Sequence, residues 1–202
     1  MSRVLPILFN MEMVRSILDG RKSCTRRIIK PQPQGYFEVS EEPLYIYDTD
    51  GKQGKITPPY QPGDILYVRE TFIQAAAHIF WYKADDKPWM SKDLLWKPSI
   101  HMPKEAARIW LKVTDVRVER LQDITGLSVQ KEGIELDPKE CASKFDFITE
   151  LFLLFQKLWD STIKKSDLDR YGWDTNPYVW VIEFERCEKP KEEKGNDSGD
   201  SK

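Results

Sequence analysis

The segment Gly20-Arg21-Lys22-Ser23-Cys24-Thr25-Arg26-Arg27 places a lysine and a threonine three residues apart among Arg21, Arg26 and Arg27. A threonine hydroxyl becomes a useful nucleophile only when a base takes its proton, and a lysine is that base only if its ammonium pKa falls well below ~10.4. The three arginines push in that direction, because like charges disfavour the protonated form, and partial burial would add to the shift. Plainer readings compete. A basic run after a helix often caps the last carbonyls and faces solvent. Thr25 is equally suited to an ordinary strand. Cys24, among cations, has the surroundings of a low-pKa thiol.

The elements around this segment must position it. VLPILFN reads as a short apolar strand. Met11 to Asp19 reads as a helix with Met13, Val14, Ile17 and Leu18 on one face, and Gly20 suits the position just past its end. Pro31 and Pro33 break the chain, and LYIYDTDGK predicts a strand running into an Asp50-Gly51 turn. That makes GKQGK a hairpin tip; it lacks the spacing and following helix of a phosphate loop. Pro62-Gly63-Asp64 is a turn feeding the strand ILYVRE, and HIFWYKAD is a further strand. In ARIWLKVTDVRVERL the apolar alternation changes parity across Thr114-Asp115, which predicts a bulge or bend. Residues 126–132 read as a short helix. Residues 143–163 read as a long one, striped by Phe147, Leu151, Leu154, Phe155, Leu158 and Trp159. YVWVIEFE closes the chain as a strand. Strands scattered along the chain with few helices between them favour an α+β fold, a small twisted barrel with helices at its ends, over a doubly wound parallel sheet.

Composition narrows the function classes. With 202 residues, 40% of them apolar, one sizeable core is expected over residues 1–187. Glu188 to Lys202 carries nine charged and no apolar residues, and is expected to be a disordered tail. No apolar run approaches the ~18 residues of a membrane span and the N-terminus lacks a secretory leader, so a cytoplasmic monomer that does not engage membranes is expected. Cys24, Cys141 and Cys187 form no C-x-x-C pair, and with His78 and His101 they support neither a disulfide framework nor a metal site. The net charge of −2 argues against indiscriminate coating of nucleic acid, yet residues 1–30 hold seven cations against two acids, so a local anion site is expected there. The tryptophans, Trp159, Trp173 and Trp180 among them, read as core, and His101 as structural.

G-R-K-x-x-T-x-R after a short N-terminal helix is followed by P-G-D-x-L with an apolar strand, then by a long strand running into L-x-D-I-T and E-G. In that order these motifs resemble the activating-signal-cointegrator homology (ASCH) family over residues 1 to about 186. The resemblance implies a PUA-like fold associated with RNA, and it extends to small enzymes that hydrolyse 4-acetylcytidine to cytidine and acetate without a cofactor. It implies catalytic roles for Lys22, Thr25 and Glu132, the last lying just before Gly133 in DITGLSVQKEGI, where a solvated helix end is the plain alternative. The insertions at about 31–60 and 75–103 and the long helix resemble the phage and prophage subgroup. Arg21, Arg26 and Arg27, with Arg69 and Glu70 at the end of an apolar strand, are the candidate substrate or RNA contacts; a rim salt bridge is the alternative for the last two. Two functions stay open: an amidohydrolase acting on acetylated cytidine, and a non-catalytic module that binds RNA or a nucleotide.

Overall fold

The chain enters as strand β1 (Val4–Leu8) and turns at once into helix α1 (Met11–Leu18). Asn10 caps that helix, its side-chain oxygen accepting the Met13 N–H at 2.9 Å. The helix stops where Gly20 adopts φ +77°. The N–H groups of Gly20 and Arg21 donate back to the carbonyls of Ile17 (3.1 Å) and Ser16 (2.8 Å), the paired closure of a Schellman motif. This sharp ending aims the basic segment away from the helix and into β2 (Cys24–Ile28). The structure, a computed structural model, describes residues 2–33, 37–41, 44–48, 54–85, 87 and 94–191. The Asp50-Gly51 turn and nearly all of the charged C-terminal segment lie outside them.

Strands β3 (Phe37–Glu41), β4 (Leu44–Asp48) and β5 (Lys55–Ile56) form an antiparallel three-stranded sheet. Then follow β6 (Ile65–Arg69), the hairpin β7 (Phe72–Ala76) and β8 (Ile79–Tyr82), and the long β9 (Trp110–Arg120). Helices α2 (Gly126–Lys131), α3 (Lys144–Thr162) and α4 (Leu168–Tyr171) precede the last strand, β10 (Tyr178–Cys187). The main sheet runs β1-β6-β9-β10-β2, with β1 and β6 parallel and the other neighbours antiparallel. The fold is therefore α+β. Among the described residues strand pairing does not close the expected small barrel: β1 and β2 end the strand order of the main sheet, and the other strands pair in separate sheets. The parity change in β9 is a bulge. Glu183 pairs with Asp115 and Phe184 with Val113, which leaves Thr114 as the extra residue.

Alternation along β10 divides the core. Trp180, Ile182 and Phe184 pack with Ile7, Phe9, Val14, Ile17 and Leu111 on one face, while Val179 and Val181 pack with Cys24, Leu151, Phe155 and Trp159 on the other. Leu151, Phe155 and Trp159 recur every four residues, which is why α3 buries that line. Trp159 and Trp180 are core residues, as the composition suggested. No helix among the described residues is long and apolar enough to cross a membrane.

Candidate functional site

Two helix ends meet beside the free edge of β2. Helix α2 starts at Thr125, whose hydroxyl accepts the Ser128 N–H at 3.2 Å, and stops at Gly133 with φ +91°. A Cβ at Gly133 would sit 2.6 Å from the Ser16 Cβ and 3.0 Å from that of Lys22, so only glycine lets this turn dock on α1. The docking is closed by three hydrogen bonds: Ser16 Oγ and Arg21 Nη1 donate to Gly133 O at 3.2 and 2.8 Å, and the Ser23 N–H donates to Lys131 O at 2.9 Å. Glu132, the last residue before the turn, is thereby carried against Lys22, with which it forms an isolated antiparallel bridge.

Lys22 is fully enclosed. Its Nζ donates to Cys24 O (2.8 Å), Glu132 O (2.9 Å) and Glu132 Oε2 (2.7 Å), so all three ammonium protons are spent. The other carboxylate oxygen, Oε1, accepts from Arg26 Nη1 at 3.1 Å. Arg26 continues the chain of charges: Nη2 reaches Glu119 Oε2 at 3.1 Å, and Glu119 accepts from Arg117, which also pairs with Asp115 and Glu183. The Arg26 guanidinium stands 5.9 Å from the Phe155 ring centre, and its Nε–H, though buried, has no partner among the described residues. The expectation of Lys22 as a base for Thr25 meets a different arrangement here. Three acceptors surround the nitrogen, the complement of an ammonium, and its contacts are with Glu132 and the strand edge.

Thr25, Arg26, Arg27 and Glu132 line one cleft, completed by Met13 of α1 and by Phe155, Leu158, Trp159 and Thr162 of α3; its cavity volume is about 40 Å³. That is far below the ~300–1,000 Å³ usual for ligand pockets, so the cleft is a narrow slot along the strand edge rather than a preformed pocket. A second hollow shares Met13, Glu132 and Leu158 and extends past Arg21, Gly133 and Glu135. Glu132 thus stands in the wall common to both. Thr25 is buried, and among the described residues nothing bonds to its hydroxyl. Arg27 spends one donor on Leu8 O at 2.9 Å and lies 5.5 Å from the Phe9 ring centre. Desolvation by burial is the main cause holding its guanidinium below the ordinary arginine range, with the charge fields of Tyr60 and Glu132 acting the other way.

The remaining candidates separate from this group. Arg21 pairs with Asp19 (2.8 Å) and lines the second hollow. Arg69 donates to Met102 O at 2.7 Å, and Glu70 is gripped by Arg108 through Nε (2.8 Å) and Nη2 (2.9 Å). Arg69 and Glu70 therefore do not pair with each other and do not line the cleft; they tie β6 to the segment around Met102. Burial pushes the Glu70 carboxyl above its usual range, opposed by Arg108. Cys24 is no reactive thiol: burial, reinforced by Glu132, pushes it up to about 12. Reasoning from sequence passed over Met13, Phe155, Leu158 and Glu119 as site residues. The first three sit in apolar stripes that read as core, and only the fold shows those stripes bordering a cleft.

No protein-family model matches the chain, and no curated protein matches it. Among solved structures it matches the high-resolution crystal structure of an ASCH domain from Lactobacillus crispatus JV V101. The identity is 11%, over 91% of this chain and 79% of that one, with a TM-score of 0.37.

Proposed function

We propose that the cleft at the β2 edge binds a nucleobase, carried by a nucleoside or an RNA strand, and that the chain is an ASCH-type, PUA-like protein of the kind its motif order resembles. The observation that carries the reading is the convergence of unspent donors in one small slot between Met13, Leu158 and Trp159: the Thr25 hydroxyl for the base, and the guanidinium donors of Arg27 not given to Leu8 for an adjoining phosphate. A flat ring with polar edges matches such walls, since apolar faces stack on it while a few polar groups set its orientation. Fluorescence titration with cytidine and with a short single-stranded RNA tests this directly. Saturable binding is expected; no binding of either would sink it.

A second reading, deacetylation of 4-acetylcytidine, draws on the presence of Thr25 and Glu132 in the same wall. Hydrolysis breaks the bond between the acetyl carbon and N4; water supplies the oxygen that ends on acetate and the proton that ends on N4. Thr25 is the group free to approach the acetyl carbon. Glu132 is the carboxylate able to move a proton, and Lys22 and Arg26 hold it in place. Release of acetate from 4-acetylcytidine, lost in Thr25→Ala, is the expected outcome. Protein that binds the nucleoside and releases no acetate is a binding module.

A further inference from the structure

The hydrogen bonds between β2 and β10 identify which peptide groups of the edge strand face the cleft. The Phe184 N–H donates to Ser23 O at 2.9 Å, and the Ile29 N–H donates to Tyr178 O at 3.2 Å. No register shift intervenes between those points. In an antiparallel pair, bonded and non-bonded residues alternate, so Ser23, Thr25, Arg27 and Ile29 bond inward to β10. Cys24, Arg26 and Ile28 consequently turn their N–H and C=O outward. The outward carbonyl of Cys24 is taken by the Lys22 ammonium. Among the described residues, nothing bonds to the outward pair of Arg26. Side chains of successive strand residues leave on opposite faces, yet Thr25, Arg26 and Arg27 all line the same cleft. The cleft therefore runs along the strand edge, with the Arg26 peptide in its floor.

We propose that the cleft reads its ligand through this peptide. The Arg26 N–H donates to a ring acceptor while the Arg26 C=O accepts from an N–H beside it. The ligand class is a planar heterocycle with an acceptor and an N–H side by side, as on the N3/N4 edge of cytosine. This deepens the nucleobase reading above and rests on it. A ring held there lies one two-residue step, about 7 Å along the strand, from Cys24, where Lys22 fixes Glu132.

The experiment titrates ¹⁵N-labelled protein with cytidine and with N4,N4-dimethylcytidine, which has the same ring but no N4–H. Cytidine is expected to shift the Arg26 amide proton downfield and to bind about tenfold tighter than the dimethyl analogue, because the analogue leaves the Arg26 carbonyl without a donor. Equal affinity for the two nucleosides, or cytidine binding that leaves the Arg26 amide unmoved, overturns recognition by the strand edge while leaving the nucleobase reading standing. Absence of binding by both cytidine and single-stranded RNA removes that reading, and this one with it.

Discussion

Lys22 Nζ lies 2.7 Å from Glu132 Oε2, with the lysine side chain wholly buried and the glutamate side chain 4% exposed. A pair this enclosed has lost its hydration on both sides, and further partners replace the water: two carbonyls for the lysine nitrogen, Arg26 for the glutamate side chain.

Removing one member of that set strands the others. Glu132→Gln is expected to destabilise the fold by ~3–5 kcal/mol, since it leaves Lys22 and Arg26 facing one another without the intervening charge. Lys22→Met is expected to cost a similar amount, and the double variant less than the sum of the two, because the partners no longer expose one another. Urea unfolding of the four proteins measures this. Strict additivity would show that the contact contributes no coupling. Loss of any activity in a Lys22 variant has to be read against its folded fraction for the same reason.

Gly133 sets the approach of α2 to α1. Gly133→Ala places a Cβ 2.6 Å from the Ser16 Cβ at a φ of +91°, so backbone must move and a left-handed conformation must carry a side chain. The expected cost exceeds ~2 kcal/mol. Because the turn also carries Glu132, ligand binding should weaken beyond the stability loss, whereas Gly126→Ala, which meets open space, should leave binding unaltered. Equal effects of the two substitutions on binding would refute this.

What was legible in the sequence follows a physical line. Local signals came through: the Gly20 helix stop, the α3 stripe, and the parity slip whose bulge falls at Thr114. The segment Cys24–Ile28, two of its five residues arginine, carries no clear alternation, yet it is a strand because β10 offers it a full row of partners and Glu132 neutralises Arg26. That neutralisation depends on a contact between residues more than a hundred positions apart, which no local pattern encodes. The same holds for Glu70. Its charged neighbour in sequence is Arg69, but on a strand consecutive side chains point apart, and Arg108 takes the carboxylate.

Asp64, in the turn before β6, makes a pH-dependent contribution. Desolvation pushes its carboxyl up, but hydrogen bonds from Arg3 and from the Gln61 N–H outweigh that and hold it below the usual range. A carboxylate whose folded pKa lies below its unfolded value of ~3.9 stabilises the protein above that pH, and the contribution disappears as pH falls through the folded pKa. Asp64→Asn should therefore be less stable than the parent at pH 7, with the difference shrinking at pH 4 and below. Denaturant midpoints across that range check it; a constant difference would assign the effect to packing alone.

Arg26 and Arg27 are adjacent in sequence but fill different roles, and single substitutions should separate them. Arg26 is bonded to Glu132 and Glu119 over the Phe155 ring, so Arg26→Gln removes counter-charge from two acids, one of them buried, and should lower the denaturant midpoint clearly. Arg27 has one hydrogen bond, to a carbonyl, and no ion pair among the described residues, so Arg27→Gln should cost little stability. Its effect should appear in binding. If Arg27 meets a phosphate next to the bound base, Arg27→Gln weakens single-stranded RNA binding and reduces the magnitude of the salt slope by about one counterion, while cytidine, which has no phosphate, binds as before. An unchanged salt slope with RNA would place Arg27 on the base or ribose instead, and parallel losses for RNA and cytidine would show the same.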